Sequence, residues 1–310
     1  MNAISSRFPV RVFTLIILIS FFASFTAYAQ FDGGNGTEED PWQIATVEQL
    51  QSISEHPEAH FILIMDIDAS ETANWNGGLG LEPIGDSDSR FSGSLDGKGL
   101  SITGLTINRE NQNGVGLFGV VQNGELRNVT LTDAQITGRN NTGGLAGMFD
   151  GGSIHHSAVS GTIAGNNYTG GLTGSINRSI LQQSYTHAVV SGESGVGGLT
   201  RSMEMAEITN CYSLSEVNGQ SMAGGLFGYV LSVGFYSDEE AAVLDGSYAA
   251  GPVHGEEYIG GLVGFIEWVV LTKADPQNEG RNFRYCGDSN KLLGHRGDRS
   301  NRSNRIRSPF

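Results

Sequence analysis

The chain has 310 residues, 45 of them glycine and only 7 proline, and carries a formal net charge of −15. Glycine at this frequency without a Gly-X-Y period excludes collagen, and the acid excess excludes a nucleic-acid-binding protein, whose ligand demands a basic face. Two cysteines, Cys211 and Cys286, exclude a disulfide scaffold.

The N-terminus reads as a secretory signal peptide over residues 1–29. Arg7 and Arg11 supply the basic region, residues 12–26 are apolar, and Ala27-Tyr28-Ala29 is an A-x-A site before Gln30. The apolar run is shorter than the ~20 residues of a membrane span, and no later stretch qualifies. The expected product is secreted or held at the cell surface, with no transmembrane span after cleavage. Residues 30–280 hold 8 Lys+Arg against 31 Asp+Glu, a balance of −23, whereas residues 281–310 hold 8 against 2, a balance of +6.

Residues 30–109 form a leading, capping segment with the first strands. Thr46-Val47-Glu48-Gln49 fits a capping box, and Val47, Leu50 and Ile53 share one face of a short helix running to about Ser54. Such a helix would cover the open end of a repeat array, which is otherwise an exposed sheet edge. Phe61-Ile62-Leu63-Ile64-Met65 reads as a short buried strand. Asp66 and Asp68 follow on either side of Ile67 and would share one face of a strand. They are candidate Ca²⁺ ligands or acid/base groups, set against the simpler reading that they accept backbone hydrogen bonds in a turn. Asp86-Ser87-Asp88 is a similar, weaker signal, and Asp96-Gly97 marks a turn before alternating strands.

Residues 110–272 are built on a recurring string, Gly-Leu-X-Gly. Its leucines are Leu117, Leu145, Leu172, Leu199, Leu226 and Leu262, spaced 28, 27, 27, 27 and 36 apart. A fixed period of this length marks a solenoid. Further columns keep the spacing. Ile154, Leu181, Ile208 and Leu244 form one. Ser157, Ser184, Cys211 and Ser247 form the next, three residues on. Ala158, Tyr185, Tyr212 and Tyr248 follow four on, Ile163, Val190, Val217 and Val253 nine on, and Gly165, Gly192, Gly219 and Gly255 eleven on. The unit beginning at Leu126 shares the pattern with one residue extra. The fold class that follows is all-β: a right-handed parallel β-helix (β-solenoid) of 27-residue coils with three short strands each. Coils would stack ~4.8 Å apart with Leu, Ile/Leu, Val and Tyr as inward ladders. A propeller needs blades of ~40 residues or more.

Residues 231–241 are the one clear insertion. Phe235, Tyr236, Asp238 and Glu239 within it are candidate binding residues, because insertions in solenoids map to loops on one face. His155 and His156 are adjacent, so a strand would point them to opposite sides, away from a shared metal. Cys211 sits in a column of small residues and reads as a structural thiol. The string recurs without the Lys-Ser/Thr of a phosphate loop. No catalytic constellation is identifiable, and no cofactor is expected beyond the Ca²⁺ considered above.

Gly143-Gly144-Leu145-Ala146-Gly147 and Gly260-Gly261-Leu262-Val263-Gly264 resemble the GLUG motif of bacterial secreted and surface proteins. Phe91-Ser92-Gly93-Ser94-Leu95-Asp96-Gly97 and Asp66-Ile67-Asp68 resemble the segment that precedes such repeats. The resemblance implies a β-solenoid of adhesin-like proteins and of non-catalytic parts of some immunoglobulin-cleaving proteases, and it carries over no catalytic residues. The implied function is a non-catalytic, monomeric surface for adhesion or binding, with an extracellular glycan or protein as ligand. The alternatives are an auxiliary repeat region of a larger secreted enzyme, or a polysaccharide-degrading β-helix. Arg201 replaces the closing glycine of the fourth string, and that corner must be built differently if the glycine serves a positive φ.

Residues 273–310 are an irregular basic tail without string or column, expected to be disordered or out of frame. Codons permitted for residues 288–300, read one base later, can restore the Ile, Ser and Tyr columns. The gene's nucleotide sequence decides this.

Overall fold

A computed structural model describes residues 31–231 and 242–267 of the chain. The segment read as a signal peptide, the loop residues Phe235, Tyr236, Asp238 and Glu239, and residues 273–310 lie outside them. The fold is a parallel β-solenoid of about 5 coils of ~27 residues, with very little helix. Its strands form a 12-stranded and a 13-stranded sheet. The two sheets wrap one continuous hydrophobic core. Among the described residues no helix is long and apolar enough to cross a membrane.

The column spacing in the sequence is the strand register in space. Ala146 pairs with Thr173, Thr173 with Thr200, and Thr200 with Phe227. The next coil pairs Phe227 with Val263, so the longer interval closes on the same register. The insertion lies between the strands Phe227–Leu231 and Val243–Asp245. In the coil before, the equivalent step from Thr200–Glu204 to Glu207–Thr209 needs only Met205 and Ala206. The extra residue of the first coil is located too. Val159 pairs with Leu131 but Gly161 with Ala134, a bulge that leaves Asp133 at a φ of 53°.

Each coil turns at columns of left-handed residues: Asn128, His156, Gln183, Asn210 and Gly246 at one corner, and Asn141, Tyr168, Gly195, Met222 and Tyr258 at another. Most are not glycine. The closing glycines of the Gly-Leu-X-Gly strings are absent from the positive-φ set, and their reason is space. A Cβ on Gly147 would come 2.5 Å from the Gly114 carbonyl carbon, and one on Gly174 would come 2.5 Å from that of Asn141.

The anchors Leu117, Leu145, Leu172, Leu199 and Leu226 are fully buried, and Leu262, in the last described coil, is partly buried. The Ser/Cys column is a hydrogen-bonded corner post. Ser157 Oγ accepts from Val129 N at 3.2 Å and donates to His155 O at 2.9 Å, and Ser184 repeats both bonds one coil on. Cys211 keeps the place, its thiol directed at Thr209 O at 3.3 Å. The tyrosine column differs from expectation. Its side chains face outward, with Tyr185 38% and Tyr248 51% exposed. The hydroxyl and thiol neighbours take the inward position, and alternation along the strand turns the next residue out.

At the N-terminal end the capping box forms, with Thr46 Oγ1 accepting from Gln49 N at 3.3 Å and Gln49 Oε1 from Thr46 N at 3.2 Å. The helix is Val47–Ser52, continued by a 3-10 turn Ile53–Glu55, and it buries Val47, Leu50 and Ile53 on the core. The following strand is His60–Leu63, because Ile64 and Met65 turn outward and are exposed.

Leu172→Ala is expected to lower stability by about 2–5 kcal/mol, since rungs above and below hold the cavity open. Urea unfolding measures it, and an unchanged midpoint would sink the ladder account. Burial pushes the Cys211 thiol up to about 11, so the native thiol should resist a thiol reagent until the protein unfolds. Cys211→Ser should stay within about 1 kcal/mol of the parent, because a hydroxyl repeats the post.

Candidate functional site

Among the described residues, side chains gather at several places on the outer surface, and four are taken first. The first is where sequence reasoning looked for a cation. Asp66 Oδ1 accepts from Ser101 N at 2.8 Å and Ser101 Oγ at 3.0 Å, and Asp68 Oδ1 accepts from Ser70 N at 3.0 Å. These bonds hold both carboxyls below the usual range, the Ser101 backbone leading for Asp66 and the Ser70 side chain for Asp68. Each carboxylate thus ties a turn to the chain beside it. Asp86 does the same, accepting from Asp88 N and Ser89 N at 2.8 and 2.7 Å. Among the described residues, no group of three His, Cys, Asp or Glu side chains is placed to share a metal ion. His155 ends a strand and His156 occupies a left-handed corner.

The second place is a carboxylate hub that the sequence reading passed over as a turn. Asp96 receives Lys98 N at 2.8 Å, Asn128 Nδ2 at 2.9 Å, Arg127 Nε at 3.0 Å and Lys98 Nζ at 3.2 Å. Burial alone raises such a carboxyl. Here the hydrogen bonds outweigh it and bring the pKa down to about 2. Arg127 also reaches Glu125 at 3.1 Å. The signal was in reach, because Asp96 and Arg127 are register partners in the column that continues to His155.

The third place is the cap. Glu48 is held low, first by the Thr46 side chain, and Glu71 is raised, first by its neighbour Glu48. The cap also borders an open cleft of about 420 Å³, lined by Gln51, Ser54, Glu55, Trp75, Asn76 and Glu82. Gln51 clamps its far wall, donating to Glu82 O at 3.0 Å and accepting from Glu82 N at 2.8 Å.

The fourth place is the outward tyrosine column. Tyr185 and Tyr212 stack with centroids 4.8 Å apart and planes 3° apart, and Tyr212 and Tyr248 stack at 5.2 Å and 7°. The spacing is that of the coils, so ring planes lie across the solenoid axis and phenol edges face solvent. The sequence showed this column but not the side it faced. A second outward stack joins Tyr229 to Phe265 at 5.7 Å.

No protein-family model matches the chain. It is 42% identical over 146 residues to Halomucin of Haloquadratum walsbyi, a match covering 44% of this chain and 2% of that protein. It is 44% identical over 110 residues to a protein of Evansella cellulosilytica provisionally named a Gly-rich membrane protein, covering 34% of this chain and 13% of that one. The chain therefore spans a small part of the length of these curated relatives. Among solved structures it is similar to a protein of Bacteroides ovatus provisionally named an immunoglobulin A1 protease. The TM-score is 0.56 with 17% identity, over 81% of this chain and 85% of that one, a likeness of fold.

The hub has a pH signature. Asp96 is depressed from an ordinary 3.8 to about 2, so its stabilisation is complete above the unfolded value and fades as pH falls through the folded one. Asp96→Asn should lower stability at neutral pH by on the order of 1 kcal/mol and flatten the acid limb between about pH 4 and pH 2. Urea midpoints measured across that window check it, and parallel curves for parent and variant would refute it.

Proposed function

We propose that the chain is a secreted or cell-surface repeat protein of the GLUG type, which performs no chemistry and presents its solenoid faces for binding. Its ligands are extracellular glycans or proteins, and it acts as a monomer. The observation that carries this reading is the exposed tyrosine ladder. The core does not require three large aromatic side chains on the solvent side of successive coils. Aligned at the sheet spacing, their hydroxyls and ring edges form a ruled strip suited to an extended, repeating partner. The names of the two relatives, Halomucin and a Gly-rich membrane protein, support a chain displayed at the cell surface.

A second reading is an auxiliary repeat region of a larger secreted enzyme. It is favoured by the fold likeness to a protein named for a protease and by the small share of its relatives that the chain spans. On that reading too the solenoid binds and the chemistry lies elsewhere.

The test is a glycan and matrix-protein array probed with the chain from Gln30 onward, run beside a polysaccharide lyase and hydrolase screen. Specific retention on the array without turnover is expected. Tyr212→Ala should weaken that retention about tenfold or more while leaving the fold intact by circular dichroism. Turnover of any polysaccharide would favour a β-helical enzyme, and retention indifferent to Tyr212 would remove the ladder from the account.

A further inference from the structure

One residue breaks the rule that every other string obeys. Gly119, Gly147, Gly174, Gly228 and Gly264 close their strings, and a Cβ on any of them would come 2.3 to 2.6 Å from backbone atoms. Arg201 stands in the equivalent place in the fourth string. The surroundings are fitted to it. The corner residue Gly195 leaves room for its stem, since a Cβ there would lie 3.2 Å from Arg201 Cγ. The ladder beside it keeps its register and lacks one rung: Met148 pairs with Ser175, whereas the next step runs from Thr173↔Thr200 to Ile176↔Met203.

The guanidinium carbon lies 3.9 Å from the Tyr168 ring centroid and 5.3 Å from that of Tyr229. Tyr229 in turn stacks on Phe265, which meets the edge of Tyr258 at 5.2 Å. Arg201 therefore sits in an aromatic stripe at the surface. Its Nε is buried without a hydrogen-bond partner, and Nη1 reaches Ser202 Oγ only at 3.4 Å. Burial lowers its pKa, while Glu204 contributes a favourable field without forming an ion pair. Arg127 and Arg178, by contrast, are paired with Asp96, Glu125 and Asp150. The chain holds 33 acidic residues against 18 basic ones, so a carboxylate for Arg201 would have been easy to supply.

We propose that Arg201, framed by Tyr168 and Tyr229, is a subsite for a carboxylate carried on a sugar, so that the solenoid takes acidic polysaccharides of the polyuronate class. A guanidinium stacked on a ring keeps its N–H groups in its own plane, where they match the two oxygens of a carboxylate. The flanking rings give a pyranose an apolar surface that an acidic peptide does not need. The inference rests on reading the solenoid as a binding surface, and it names a ligand class for a site apart from the tyrosine ladder.

The informative variant is Arg201→Gly, which restores the string. Parent and variant chains are compared by affinity electrophoresis through polygalacturonate, with fully methyl-esterified pectin and polyglutamate as controls. Salt is held at 0.15 M, where the acidic body is screened beyond about 8 Å. The parent should be retarded by polygalacturonate alone. Arg201→Gly should lose that retardation about tenfold or more and melt no lower than the parent. Arg178→Gly, which removes an arginine already paired with Asp150, should be retarded like the parent, which separates this subsite from a general effect of positive charge. An unretarded parent, an equally retarded Arg201→Gly, or equal retardation by polyglutamate would each overturn the proposal. So would a lower melting temperature for Arg201→Gly, which would make the arginine a structural rung.

Discussion

Everything in this molecule depends on parallel hydrogen bonding between coils held in register. Once Thr173 is paired between Ala146 and Thr200, every residue of that coil is stacked on its equivalents at the sheet spacing. A column, rather than a residue, becomes the unit of stability. Leu over Leu and hydroxyl over hydroxyl repeat one favourable contact through the array, as in other repeat proteins where neighbour interfaces carry the energy. A one-residue shift would present every side chain to the wrong side. This is why the first coil confines its extra residue to a bulge at Asp133, and why the insertion before Val243 enters at a corner.

The glycines show the same constraint from the other side. Positive φ is borne at the corners largely by Asn, His, Gln, Met and Tyr. The glycines that close the strings, and those of the column Gly165, Gly192, Gly219 and Gly255, serve tight approach instead. A Cβ on Gly165 would come 2.6 Å from Thr169 Oγ1, and one on Gly255 would come 2.3 Å from Ile259 Cδ1. Glycine abundance is therefore a measure of crowding between strands. That explains how a chain with so much glycine has a continuous core.

Period, register, capping helix and inward leucines were all legible in the sequence, because each is a repeated or strongly patterned choice. What stayed hidden was anything that depends on which way a short strand faces. The tyrosine column was visible as a column, yet only the burial of Ser184 and Cys211 beside it fixes Tyr185 and Tyr212 as outward. The Asp96 hub was missed for a related reason. Its partners Arg127 and Asn128 lie one coil away, 31 and 32 residues on, outside the 27-residue spacing that marks the later columns. Asp-X-Asp spacing, as at Asp66 and Asp68, is shared by metal loops and by turns, and the donors that each Oδ1 meets, at Ser101 and Ser70, are not legible from that spacing.

Such an architecture separates what selection can change from what it cannot. Inward columns are tied to their neighbours above and below, so a change in one coil is felt in at least two others. Outward columns are free of that tie. The column that runs through Ala158, Tyr185, Tyr212 and Tyr248 changes side chain while its register pairs persist. Specificity can therefore be written coil by coil on the solvent side at little cost to folding. Arg201 is informative because it does not obey that separation. It occupies a position where the backbone of a neighbouring coil leaves no room in every other string, and Gly195 leaves the space for its stem. A side chain kept at the expense of the repeat is better explained by what it meets outside the fold than by anything it adds within.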